Sequence, residues 1–283
     1  MKSDCLSIRE LEKKSYEMRL KTAIMAEEYG GGCHYGGCFS IAEVLTALYF
    51  NILNIYPENP KHPERDRVVL SAGHKDAIYC VILAEKGFIP KEWLHTYNKL
   101  DSHLGMHPDM KKIPGCDMST GSLGHGLSVA VGMALNGKLD KSDYKVFVIL
   151  GDGELQEGLI WEAAMAASHY KLDNIIVFVD RNMLEFDGET EKIMALEPLK
   201  EKWQAFGWNV KEIDGHNIRE ILDAYESCME NKDKPNVIIA NTIKGKGVSF
   251  MENDWKWHYG GMNSEHKEKA FKELEKKINE YSI

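Results

Sequence analysis

No apolar run in this 283-residue chain reaches the ~18 residues that a membrane-spanning helix requires, so no membrane association is expected. Its cysteines (Cys5, Cys33, Cys38, Cys80, Cys116 and Cys228) include no C-x-x-C pair, which argues against a zinc ribbon or a redox dithiol. The eleven histidines include no H-E-x-x-H arrangement, the helical pairing by which a hydrolase holds zinc. Basic residues are outnumbered, 35 against 44 acidic ones, for a formal net charge of −9. A surface of that sign disfavours nonspecific contact with nucleic acid or anionic lipid. Neither an internal repeat nor a Pro/Ser-rich linker interrupts the chain, so one domain over residues 1–283 is expected. The opening MKSDCLSIRELEKK is polar and helix-like, unlike a signal peptide, and the cytoplasm is the expected compartment.

What is present is ordinary for a globular protein, 43% hydrophobic and 28% charged. Helical periodicity runs over 7–29, then breaks at GGGCHYGG (30–37) before a second helix over 39–52. A short buried strand is expected at 65–71. Residues 87–120 are rich in Gly, Pro, His and Asp and read as a long irregular stretch with one helical turn over 90–99. Loops of that length inside a compact domain are usually functional or disordered. Glycines from Gly121 to Gly126 open a small-residue helix. The strand KVFVIL (145–150), a helix over 156–170 and the strand NIIVFVD (174–180) follow. Helices are expected at 197–206 and 218–230, strands at 208–214 and 236–241, and a charged surface helix at 265–281. Apolar strands alternating with helices predict an α/β fold, a doubly wound, mostly parallel sheet with helices on both faces.

In such sheets ligands bind beyond the carboxyl ends of the strands. There the chain reads SAGHKD (71–76), GDGE (151–154), DRNMLEFDG (180–188), DGHN (214–217) and NTIKGKG (241–247). Asp152 and Asn182, thirty residues apart, both lie just past a buried strand, and the strands are joined by one helical crossover. A carboxylate, an amide oxygen and a nearby main-chain carbonyl suit Mg²⁺, which completes its octahedron with water and phosphate oxygens. Gly153 permits a sharp turn and an N–H close to a phosphate, and the dipole of the helix that follows favours an anion.

GDG followed by this asparagine resembles the thiamine diphosphate signature, and the wider resemblance is to transketolases. It is carried by GDGELQEGLIWEAAMAASHYKLDNIIVFVDRNMLEFDG, STGSLGHGLSVAVGMAL, SAGHKD, GMHPD and IIANTIKGKGVSF, in order along the chain. The resemblance implies a metal, Mg²⁺ or Ca²⁺, on Asp152, Asn182 and the Leu184 carbonyl. It implies thiamine diphosphate against Gly121, Ser122, Leu123, Gly153, Glu157 and Asn182, with His74, Lys244 and His258 near the diphosphate. It makes His34, His74, His107 and His258 the catalytic histidines, suited to moving hydroxyl protons near neutral pH. Glu157 and Glu162 occupy positions of family glutamates linked to a subunit interface.

Cys33 and Tyr35 stand where the family has a glycine and a proline or small apolar residue, so Tyr35 either lines a substrate channel or points outward. His125 replaces a glutamine. The resemblance covers only the diphosphate-binding half of a transketolase. It therefore implies the N-terminal subunit of a split enzyme, inactive alone and working as α2β2 with a separately encoded C-terminal, pyrimidine-binding subunit. The expected reaction moves a two-carbon ketol unit between sugar phosphates. A ketol transferase for a sulfonated, branched or deoxy ketose, the diphosphate-binding subunit of a 2-oxo-acid decarboxylase or dehydrogenase, and a non-catalytic binding subunit stand as alternatives.

Overall fold

The computed structural model describes residues 5–282; the first four residues of the helix-like opening, and position 283 of the expected domain, lie outside them. Its centre is a sheet of five parallel strands: β1 (Arg67–Leu70), β2 (Val146–Gly151), β3 (Ile175–Arg181), β4 (Asn209–Asp214) and β5 (Asn236–Asn241). Their order is β1-β2-β3-β5-β4. Every residue of β2 and β3 is buried, as strands covered on both faces require. Alternate side chains divide the core. Phe147, Ile149, Ile176 and Phe178 join one apolar cluster with the helices Ile8–Met25, Asp76–Glu85, Ile218–Glu230 and Ser264–Glu280. Val146, Val148, Val177 and Val179 join another with His125–Leu139, Gly158–His169 and Leu199–Ala205. The expected doubly wound α/β architecture is the one found. β4 carries Lys211 and Glu212 at an outer position of the sheet, where charge guards the open edge.

Three readings of the sequence need correction. The glycines at 36 and 37 do not break a helix; they lie in one, Tyr35–Ser40, which ends at Ile41 before Ala42–Ala47 resumes. A Cβ at Gly36 would stand 2.8 Å from Lys244 Cγ, and one at Gly37 would stand 3.3 Å from Lys75 Cε. Glycine serves there to let a helix approach two lysines. The helix after GDG starts later than expected, at Gly158, behind a 3-10 turn over Gly153–Gln156. Thr190–Ile193, a one-turn helix, was hidden in polar sequence. The first helix opens on a capping box in which Ser7 and Glu10 satisfy each other's amides. Its α-helical part stops at Met25 and a π turn, Ala26–Gly30, completes it.

The first and third helices are joined by a buried ion pair. Arg19 donates to both Glu43 oxygens at 2.6 Å and to the Phe39 carbonyl at 3.0 and 2.7 Å. His216 Nδ1 meets the same carboxylate at 3.0 Å while its Nε2 accepts the Ile243 amide. DGHN is thus a structural strut. Burial alone would raise the Glu43 pKa, but Arg19 and His216 outweigh it and hold it at about 2. Because the folded pKa is depressed, this stabilisation is present above the ordinary glutamate pKa and is lost as pH falls towards 2. Glu43→Ala strands a buried guanidinium and is expected to cost about 3–5 kcal/mol, measured by urea unfolding at pH 7.

Candidate active site

A cleft of about 430 Å³ opens at the carboxyl ends of β2 and β3, a size suited to a cofactor. His74, Lys75, Gly121, Leu123, Gly151–Glu154, Glu157, Asn182, Leu184–Asp187, Lys244 and His258 line it. Of the strand-end motifs, SAGHKD, GDGE, DRNMLEFDG and NTIKGKG contribute to it and DGHN does not.

The β2–β3 pairing sets Gly151 against Asp180, so Asp152 and the residues after β3 emerge together. The buried Asp152 carboxylate accepts the Met183 amide at 2.6 Å and the Gly153 amide at 2.9 Å, with Arg181 at 3.4 Å. Burial, reinforced by the charge of Asp180, raises its pKa to about 6 against the pull of Arg181 and Lys244. Asn182 gives its Nδ2 to Asp180 at 3.2 Å, while its Oδ1 takes the Leu184 amide at 3.1 Å. Lys244 Nζ donates to the Leu184 carbonyl at 2.9 Å and meets His258 Nδ1 at 3.1 Å. Burial lowers the Lys244 pKa to about 8.

This donor set fits a hard divalent cation. Asp152, Asn182 and Leu184 share one cleft, all offer oxygen, and the Leu184 carbonyl is already met by a cationic ammonium. Among the described residues no three His, Cys, Asp or Glu side chains gather into a metal cluster. A single carboxylate leaves room for phosphate oxygens. The Gly153 amide does not point free into the cleft as expected, since it is held by Asp152. Its missing side chain matters more: a Cβ there would come within 3.1 Å of Glu185 Cβ.

The histidines do assemble. His74 and His258 line the cleft with ring centroids 5.4 Å apart, and His34 packs on them at 5.4 and 5.6 Å. His107 stands 6.0 Å beyond His34, beside Gly121, where a Cβ would meet its ring at 3.4 Å. Burial, then the charges of His107 and Lys244, lowers the His34 pKa to about 4; burial and Lys244 lower that of His258 to about 3. Burial pushes His74 and His107 down as well. These are neutral imidazoles at pH 7.

Other expected residues fall elsewhere. Ser122 is exposed and does not line the cleft, and Glu162 is exposed on its helix. His125 is exposed, with Nδ1 3.2 Å from the Leu123 carbonyl. Tyr35 neither lines a channel nor points outward: it is buried, and its hydroxyl donates to Glu27 at 2.5 Å. Cys33 is likewise buried. Sequence reasoning missed the buried layer beneath the cleft. Asp180 accepts Lys75, Ser40, Thr242 and Asn182. Glu154 accepts Ser71 and the Gly124 and Gly151 amides. Arg181 binds Thr190, Glu191 and Glu197. The available signal was Asp180 itself, a carboxylate closing the apolar run NIIVFVD.

Comparison with known proteins agrees with this geometry. The family model described as "Transketolase, thiamine diphosphate binding domain" matches residues 14–278. An apulose-4-phosphate transketolase subunit of Phocaeicola vulgatus is 45% identical over 270 residues, spanning 95% of this chain and 94% of its own. The 6-deoxy-6-sulfo-D-fructose transketolase subunit SqwG of Clostridium sp. is 49% identical over 252 residues, 88% of this chain and 92% of its own. The crystal structure of the Campylobacter jejuni transketolase superposes with a TM-score of 0.90 at 29% identity, covering 98% of this chain and 46% of that one. The chain thus matches nearly the whole of the relatives named as subunits and about half of that transketolase.

The imidazole cluster has a consequence in solution. Histidines with depressed folded pKa values favour folding fully above the ordinary histidine pKa of about 6.5, and that contribution is lost as pH falls below it. NMR titration of the chain is expected to place His34 near pH 4. Urea unfolding is expected to show stability declining from pH 6.5 towards 4, with a shallower decline in His34→Asn.

Proposed function

Since the chain belongs to the transketolase family of thiamine diphosphate-binding domains, we propose that its cleft holds thiamine diphosphate with a divalent cation, Mg²⁺ or Ca²⁺, and that it transfers a two-carbon ketol unit from a ketose phosphate to an aldose phosphate. The single observation that carries this reading is the convergence on one cleft of the Asp152–Asn182–Leu184 oxygen set, the Lys244 ammonium and the imidazoles of His74 and His258. In this reading Asp152, Asn182 and the Leu184 carbonyl ligate the cation. Lys244 and His258 take the diphosphate oxygens, with Gly121, Leu123 and Gly153 giving main-chain room beside Glu157. When bound, thiamine diphosphate supplies the nucleophilic carbon and the electron sink that let the carbon–carbon bond of a ketose break.

The chain's own residues handle the sugar and its protons. Neutral His34, His74, His107 and His258 accept hydrogen bonds from sugar hydroxyls or donate to their oxygens, depending on tautomer. Negative charge placed beside Lys244 and His258 raises the proton affinity of the cluster, bringing it nearer to the range in which imidazole exchanges protons effectively.

Apolar groups rim the cleft. Phe186 and Ile193 line it and are 60% and 49% exposed, and Met194 beside them is 61% exposed. A rim of this kind supports burial against another chain. The partner proposed is a separately encoded C-terminal, pyrimidine-binding subunit, in an α2β2 assembly. A second reading, that the ketose is an unusual one, is favoured by the names of the two subunit relatives, which specify a 4-phosphate and a 6-sulfo ketose.

Two outcomes test the proposal. Asp152→Ala is expected to weaken metal-dependent thiamine diphosphate binding at least 100-fold while far-UV circular dichroism stays unchanged; unaltered affinity by calorimetry on the reconstituted complex would remove Asp152 from the site. Ketol transfer is expected only when the partner subunit is added, and turnover by the purified chain alone would refute the division of labour.

A further inference from the structure

Tyr259 has no part in that reading, yet it stands beside its central histidine. The ring is 48% exposed and its centroid lies 4.8 Å from that of His34. Its hydroxyl makes no hydrogen bond to any described residue. The placement is built rather than incidental. Cys33 and Gly260 form an antiparallel bridge, with amide–carbonyl hydrogen bonds of 3.0 and 3.1 Å in the two directions. Antiparallel pairing of 33 with 260 sets 34 across from 259, so both side chains leave the same side. The two backbones touch so closely that a Cβ at Gly32, where φ is +113°, would collide with the Gly260 carbonyl oxygen.

The bridge is braced from behind. Glu27 accepts the Met262 amide at 2.8 Å and the buried Tyr35 hydroxyl at 2.5 Å. Tyr35, the bulky residue next to His34, therefore acts at one remove: with Glu27 it pins the segment that carries Tyr259. The imidazoles run outward from the cleft, His74 and His258 first, then His34, with His107 and Tyr259 packed on His34. A phenol with a free hydroxyl at the outer end of that row offers a ring face to carbon-bound hydrogens and a donor to a hydroxyl or anionic oxygen.

Resting on the transketolase reading, we propose that Tyr259 is a specificity-determining residue that contacts the polyhydroxylated chain of the sugar away from its reacting carbonyl. A two-carbon aldehyde is too short to reach it, whereas a phosphorylated triose extends past His34 and meets it. Tyr259 therefore selects among substrates by length and by what they carry at the far end, and the Cys33–Gly260 bridge fixes the distance at which it does so.

The test uses the complex of the chain with its partner subunit, loaded with thiamine diphosphate. The donor is fructose 6-phosphate or its 6-deoxy-6-sulfo analogue, whichever the wild-type complex turns over; the acceptors are glyceraldehyde 3-phosphate and glycolaldehyde. Tyr259→Ala is expected to raise KM for glyceraldehyde 3-phosphate about tenfold, with the change in KM rather than kcat. KM for glycolaldehyde and the affinity for thiamine diphosphate are expected to stay as in the wild type. Tyr259→Phe divides the effect between hydroxyl and ring. Equal effects on both acceptors, or none on either, overturn the proposal, as does a loss that disappears when the partner subunit is raised to saturation, because it then reflects weaker binding between the subunits. A wild-type complex that binds no thiamine diphosphate and transfers no ketol unit would instead sink the underlying reading.

Discussion

In the parallel pairing of β2 with β3, Gly151 lies opposite Asp180, and the chemistry of the cleft hangs on that register. It brings Asp152 level with Arg181, so one carboxylate gathers a guanidinium and the Met183 amide. The two-residue period of β3 turns Asp180 and Asn182 to the same side, close enough for a 3.2 Å hydrogen bond. A slip of one residue would exchange the faces of every side chain in the strand. That slip is opposed by the entire core, because Ile176 and Phe178 belong to one apolar layer and Val177 and Val179 to the other. The site is thus aligned by hydrophobic burial well away from it.

That division explains what could be read from the sequence. Asp152, Asn182, Lys244 and His74 follow strands that apolar runs announce, and parallel α/β topology says that strand ends are where ligands bind; His258 lies well past β5, in the turn Trp255–His258. The sheet and its helical cover followed from periodicity, and Asp152 with Asn182 from their places after two neighbouring strands, whereas His74, Lys244, His258 and the Gly121–Leu123 segment came from the resemblance to transketolases. Residues whose meaning depends on a neighbour distant in sequence did not. Gly36 and Gly37 looked like a break because nothing local reveals the lysines against which they pack. Lys75 carries no signal of its own in SAGHKD, because its buried counterion, Asp180, is distant in sequence. The long-range bridge that places Tyr259 beside His34 joins segments more than two hundred residues apart, and no local pattern marks it.

The cleft also divides into a floor and a rim of different character. The polar groups of the cleft floor are held by neighbours within this chain: Asp180 by Lys75 and Thr242, Glu154 by backbone amides, Arg181 by Glu191 and Glu197. The polar groups of the floor are thus paired before any ligand arrives. The rim, by contrast, presents Phe186, Ile193 and Met194 to solvent, and the outer imidazoles are less buried than His74. A floor satisfied from within and a rim left apolar support the proposal that another chain covers the rim.

The opposed shifts of Asp152 and Lys244 carry the same argument to the ligand. Burial lifts the acid to about 6 and depresses the base to about 8, because desolvation outweighs the attraction of Arg181 and Lys244 for Asp152 and of Asp152 for Lys244. Moving them closer would not suffice, since Asp152 is committed to Arg181 and two amides and Lys244 to Leu184 and His258. A bare anion would satisfy Lys244 while pushing Asp152 further towards its neutral form. A bare cation would do the reverse to Lys244. A ligand that brings a cation to Asp152 and an anion to Lys244 together favours the charged form of both, which supports the proposed divalent metal with a diphosphate.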